Sequence, residues 1–147
     1  MAFIQFLHKY IYMTVPFISW WAAQILKFFI DFVSKKKVDF TRLVGSGGMP
    51  SSHTSFTVSL ATVVGINHGA DSVEFALAVA FALIVMYDAA GVRRATGKQA
   101  KILNRLLYHR KGEIHVEEEL KELVGHTPFE VIGGAALGFT IAFLFYL

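Results

Sequence analysis

The sequence predicts an all-α integral membrane bundle of about four transmembrane helices, with a short amphipathic helical loop between the third and fourth. Three observations predict it. The 147 residues are 54% hydrophobic, with a mean hydropathy of +0.51, above the roughly 45–50% apolar content of a soluble domain. The apolar residues fall into four stretches. The basic residues gather in two of the connections between them.

The first stretch runs from Tyr10 to Val33, and is aromatic and interrupted by Lys27 and Asp31. It lacks a short apolar core followed by a small-residue cleavage site, so it reads as a retained span rather than a signal peptide. Lys27 and Asp31 stand four apart, which suits an ion pair on one helical face. The second stretch, Ser52 to Ile66, is short and rich in Ser and Thr. Alone it would cross poorly, so it is expected to be sheltered by its neighbours. The third, Val73 to Val92, and the fourth, Pro128 to Leu147, approach the ~20 residues that cross a hydrocarbon core.

The connections differ. Ser34 to Ser51 carries Lys35-Lys36-Lys37 and then Gly45-Ser46-Gly47-Gly48. Asn67 to Asp71 has turn composition. Arg93 to Thr127 is strongly charged. Within it, Gln99 to Leu107 has the helical period of an amphipathic surface helix, and Glu117 to Val124 reads as a second short helix ending at Gly125. Repeats and low-complexity tracts are lacking. The whole chain, 1–147, reads as a single membrane-embedded domain. With four spans the first and third connections share a face. All Lys and Arg except Lys9 and Lys27 lie in those two connections, so the positive-inside rule places them in the cytoplasm and both termini outside.

Composition excludes several chemistries. There is no Cys, hence no disulfide, thiolate ligand or thiol nucleophile. A net charge of +3 gives no reason to expect nucleic acid.

Three motifs carry chemistry. Gly47-Gly48-Met49-Pro50-Ser51-Ser52-His53-Thr54 places glycines before a helix start. Free N–H groups there, two hydroxyls and an imidazole suit an anion such as phosphate; the plainer account is a glycine turn with an N-cap. Gly125-His126-Thr127-Pro128-Phe129-Glu130 puts a carboxylate four residues after an imidazole. That spacing orients the ring and raises its basicity, as a nucleophile or base requires; the plainer account is a cap with a local pair. Asp88-Ala89-Ala90-Gly91-Val92-Arg93-Arg94 sets an acid before two arginines. Arg grips phosphate bidentately, though basic anchoring at a span end explains one arginine equally well. All these features fall on the same face in the four-span topology. A metal site built from His53, Asp88, His126 and Glu130 is open by ligand type, but no tight two-His spacing supports it.

Taken together and in order, these residues resemble the type-2 phosphatidic acid phosphatase and vanadium haloperoxidase superfamily, and most closely its small divergent membrane branch. The superfamily pattern is K-x6-R-P, then P-S-G-H, then S-R-x5-H-x3-D. Lys35 and Arg42 have the first spacing, with Leu43 in place of Pro. Pro50-Ser51-Ser52-His53 matches the second with Ser for Gly, and His126 with Glu130 matches H-x3-D with Glu for Asp. The third motif lacks its arginine: Leu120 stands six residues before His126. The resemblance covers about residues 20–145.

It implies a metal-independent and cofactor-free phosphomonoesterase acting on a lipid phosphate such as phosphatidate, phosphatidylglycerophosphate or a prenyl phosphate. His126 would be the nucleophile, Glu130 its support and His53 the acid and base. Lys35, Arg42, Ser51, Ser52 and Arg93 or Arg94 would hold the phosphoryl oxygens, with Asp88 and Lys98 in support. The implied partners are the lipid substrate and membrane lipids, and the implied location is the cell membrane, with the motifs at its cytoplasmic face. The alternative is a non-catalytic anionic-lipid binder that retains a phosphate pocket.

Overall fold

A computed structural model describes residues 5, 9–35, 48–109, 120–122 and 124–147. Among the described residues there are five helices and no strands: α1 (Ile11–Lys35), α2 (Ser52–His68), α3 (Val73–Ala90), α4 (Val92–His109) and α5 (Pro128–Leu144). The architecture is the expected helical membrane bundle. α1 and the apolar part of the stretch that begins at Val73 are long and apolar enough to cross a bilayer, and α5 is a shorter apolar helix.

The short second stretch becomes the centre of the bundle. α2 packs against α1, α3 and α5. Its 17 residues span about 26 Å at 1.5 Å per residue, less than the ~30 Å hydrocarbon core. Its hydroxyls bond within the protein rather than facing lipid. Ser55 Oγ lies 2.6 Å from Ser19 Oγ of α1. Thr57 Oγ1 donates to His53 O at 3.1 Å, and Ser59 Oγ donates to Phe56 O at 2.9 Å. Small residues at the seams allow this intimacy, as between membrane helices generally. A Cβ on Gly134 of α5 would sit 2.4 Å from Ser51 O, and one on Gly138 would sit 2.4 Å from Ser55 O. These two glycines let the α5 and α2 backbones nearly touch.

Capping fixes the helix starts. Ser51 caps α2, and Ser72 caps α3 by accepting the Phe75 N–H at 3.1 Å. Thr127 and Glu130 form a reciprocal capping box on α5, with Pro128 in its first turn. Two main-chain bonds tie three helix ends together: Ser51 N–H to Glu130 O and His126 N–H to Ala89 O, both 2.9 Å. At the opposite end, Tyr12 meets His68 at 2.8 Å, and Asn67 donates to the Tyr146 hydroxyl.

The amphipathic helix is longer than the sequence suggested. α4 starts at Val92, directly after Gly91. The second short helix expected over Glu117 to Val124 is corrected: residues 120–122 and 124 are not helical, and 117–119 and 123 lie outside the described residues. The reason is a strap. Asn104 Nδ2 donates to Leu120 O at 2.8 Å, and Asn104 Oδ1 accepts the Leu120 N–H at 3.0 Å. The same amide reaches Glu122 Oε1 at 3.1 Å. Backbone groups claimed by α4 are not available for a helix of their own.

Candidate active site

The site is assembled where α2 and α5 start and α3 ends. His126 is only 4% exposed. Its Nδ1 lies 3.1 Å from Glu130 Oε2, and the same oxygen accepts the Thr127 N–H at 2.9 Å. An ionised carboxylate only accepts, so Nδ1 carries a proton toward Glu130, and the ring also bonds to the Gly48 backbone. Gly125 makes this placement possible. Its φ is +88°, and a Cβ there would fall 2.3 Å from Arg94 N. Only glycine lets the chain press onto the start of α4 while turning into His126.

Burial pushes the His126 imidazole below its ordinary pKa. The Glu130 hydrogen bond pulls the other way, and the nearby Lys27 charge reinforces the depression. The depression favours the neutral form of the ring over the charged one.

A cavity of about 230 Å³ opens against this ring, lined by His53, Asp88, Arg93, Gly125 and His126 and walled by Ile84, Val85 and Ala89. His53 and His126 thus face one space. Arg93 Nε is bonded to Asp88 Oδ2 at 2.5 Å. A second cavity of about 240 Å³ lies on the α4 side, and His126 lines both. Burial and the Arg93 charge push the His53 imidazole below its ordinary pKa as well. Among the described residues, no three His, Asp or Glu side chains converge as metal ligands.

The match to known proteins is now decisive for the family. The family model described as the divergent PAP2 family matches residues 8–141. The chain belongs to the divergent PAP2 family. It is also 39% identical over 128 residues to the uncharacterized membrane protein YuiD of Bacillus subtilis (strain 168), across 79% of this chain and 81% of that protein. No solved structure matches the chain.

Within this divergent PAP2 chain, the expected residues separate into groups. His53, Asp88, Arg93 and His126 share the first cavity. Arg94, Lys98 and Glu130 line the second, together with His126. Ser51 and Ser52 are buried and are not among the residues lining either cavity. The Ser51 hydroxyl is spent on Thr54, accepting its hydroxyl at 3.0 Å and its N–H at 3.4 Å. Arg42 and the Lys35 side chain lie outside the described residues.

The residue that sequence reasoning missed is Lys27. It lies outside the two basic connections, within the first span. The structure buries it: it is 2% exposed, and its ammonium donates to Gln24 Oε1 at 2.9 Å. Its stem packs on Gly48, where a Cβ would sit 3.2 Å from Lys27 Cγ. Its charge bears on both His53 and His126. The signal was present: a lone lysine within a span is a functional candidate by default.

Proposed function

We propose that this divergent PAP2 protein is a membrane phosphatase that hydrolyses the phosphomonoester of a lipid phosphate through a phospho-histidine. One observation carries the reading. Buried His126, bonded to Glu130, lines the same cavity as His53 and Arg93. His126 Nε2 attacks phosphorus, the bond from phosphorus to the lipid oxygen breaks, and His53 gives that oxygen its proton. His53 then takes a proton from water as the water attacks, the P–N bond breaks and inorganic phosphate leaves. Arg93 and the buried Lys27 ammonium supply positive charge where the phosphoryl oxygens gain negative charge in the transition state. The positive-inside bias supports a site at the cytoplasmic face of the cell membrane. Phosphatidate, phosphatidylglycerophosphate and prenyl phosphates all carry the required group.

Phosphate release by the purified protein in detergent, over that lipid panel, tests the proposal. His126→Ala and His53→Ala should each abolish turnover. A His126→Ala protein as active as wild type would remove the nucleophile and the mechanism with it. The second reading, an anionic-lipid binder without turnover, draws on one observation: Arg93 is turned onto Asp88. Lipid-phosphate binding by folded protein that releases no phosphate would favour it.

A further inference from the structure

The second cavity carries an inference of its own. Three cations of α4, Arg94, Lys98 and Lys101, line it. They stand three or four residues apart and so share one helical face. Among the described residues none of the three has a hydrogen-bonded or ion-paired side-chain partner. The two carboxylates of the cavity are already engaged. Glu122 accepts from Asn104, and one Glu130 oxygen accepts from both His126 and Thr127. At ~30 Å³ per water, the cavity has room for several waters or one oxyanion. Three uncommitted cations around such a space attract a multiply charged oxyanion more than any neutral ligand. Gly125 and His126 line both this space and the cavity that holds His53.

We propose that this cavity is a second phosphate site, separate from the one where phosphorus is attacked. It takes either the second phosphate of a two-phosphate lipid headgroup or the inorganic phosphate released by the reaction. This assignment rests on the phosphatase reading for its biological use, but the site itself does not.

The experiment compares wild type with Lys101→Gln and Lys98→Gln/Lys101→Gln, as full-length protein in mixed micelles, with thermal unfolding confirming the fold. Arg105→Gln, on the same helix but outside the cavity, is the control. The measured quantity is the ratio of kcat/KM for phosphatidylglycerophosphate to that for phosphatidate, alongside inhibition by inorganic phosphate. Loss of charge-assisted bonds should lower the ratio roughly 10-fold in the double variant, which identifies the lipid as the source. A roughly 10-fold weaker phosphate inhibition at an unchanged ratio identifies released phosphate. Neither change, with Arg105→Gln indistinguishable from the double variant, overturns the proposal. Should wild type turn over no lipid, binding of inorganic phosphate and of the two lipids is measured on the same proteins. Binding weakened in the double variant then supports the site while the phosphatase reading falls, and equal binding overturns the site as well. If the double variant does not fold, Lys101→Gln alone decides by the same readings.

Discussion

Glu130 performs two jobs with one oxygen, and the two can be separated. Its Oε2 accepts from His126 Nδ1 at 3.1 Å and from Thr127 N–H at 2.9 Å, while Thr127 Oγ1 accepts the Glu130 N–H at 3.4 Å. Glu130→Gln keeps the shape but removes the charge that holds the imidazole and stabilises it as positive charge develops during attack. A charge-assisted hydrogen bond contributes about 1.5–3 kcal/mol, so kcat should fall roughly 10- to 150-fold. Thr127→Ala removes only the cap. It should lower stability by about 1 kcal/mol and leave the His126–Glu130 bond in place. Phosphate release under saturating lipid reports the first effect, and thermal unfolding in the same detergent reports the second. If Glu130→Gln retains wild-type kcat, or if Thr127→Ala loses as much, Glu130 is a cap and nothing more.

Three further outcomes follow from the same geometry. Burial holds the folded pKa of His126 below its unfolded value of about 6.5. Between those two values the unfolded chain binds the proton and the folded chain does not. Stability from this group is therefore full above about pH 6.5 and falls as pH drops toward the folded pKa. Replacing His126 with Gln should flatten that portion of a stability–pH curve, and the acid limb of kcat/KM in wild type should lie below pH 6.5. Lys27→Met keeps the buried volume but removes the charge that bears on both histidines. Lipid-phosphate turnover should fall roughly 10- to 100-fold with little loss of stability, and a fully active, folded variant would take Lys27 out of the site. Gly134→Val drives a side chain into the Ser51 carbonyl, which a Cβ alone would meet at 2.4 Å. It should cost about 1–3 kcal/mol in thermal unfolding; an unaltered midpoint would show that α2 and α5 do not depend on that contact.

What could be read from sequence, and what could not, divides along a physical line. Apolar runs of span length reveal α1, α3 and α5, because hydropathy records the solvent a helix faces. α2 is legible only by its neighbours. Its Ser and Thr residues make sense once Ser19, Gly134 and Gly138 are known to lie against it. The motif histidines were legible because their spacing to Pro50, Glu130 and the helix starts is local. The fate of Ser51 was not: its hydroxyl points back to Thr54 rather than into a cavity, and sequence alone cannot separate a cap from a ligand. Residues 120–122 misled for a related reason. Their helical period is real, but Asn104, sixteen residues away, offers their backbone a better partner. Lys27 is legible as a charge within a span, but its packing on Gly48 is not, because that contact joins residues far apart in sequence.

The departures from the superfamily pattern have a common explanation in the backbone. Ser52 stands where that pattern has Gly, yet it is buried in the first turn of α2, where a small side chain suffices. Glu130 stands where it has Asp, and the longer side chain reaches back across the first turn of α5 to serve both Thr127 N–H and His126. In neither case does the altered side chain set the position of the site. That is done by main-chain bonds, Ser51 to Glu130 and His126 to Ala89, and by Gly125 pressed against Arg93 and Arg94. The last contact also bears on the missing arginine of the third motif. Leu120, where it should stand, is held on α4 by Asn104, whereas Arg93 is brought into the His53–His126 cavity from the start of α4.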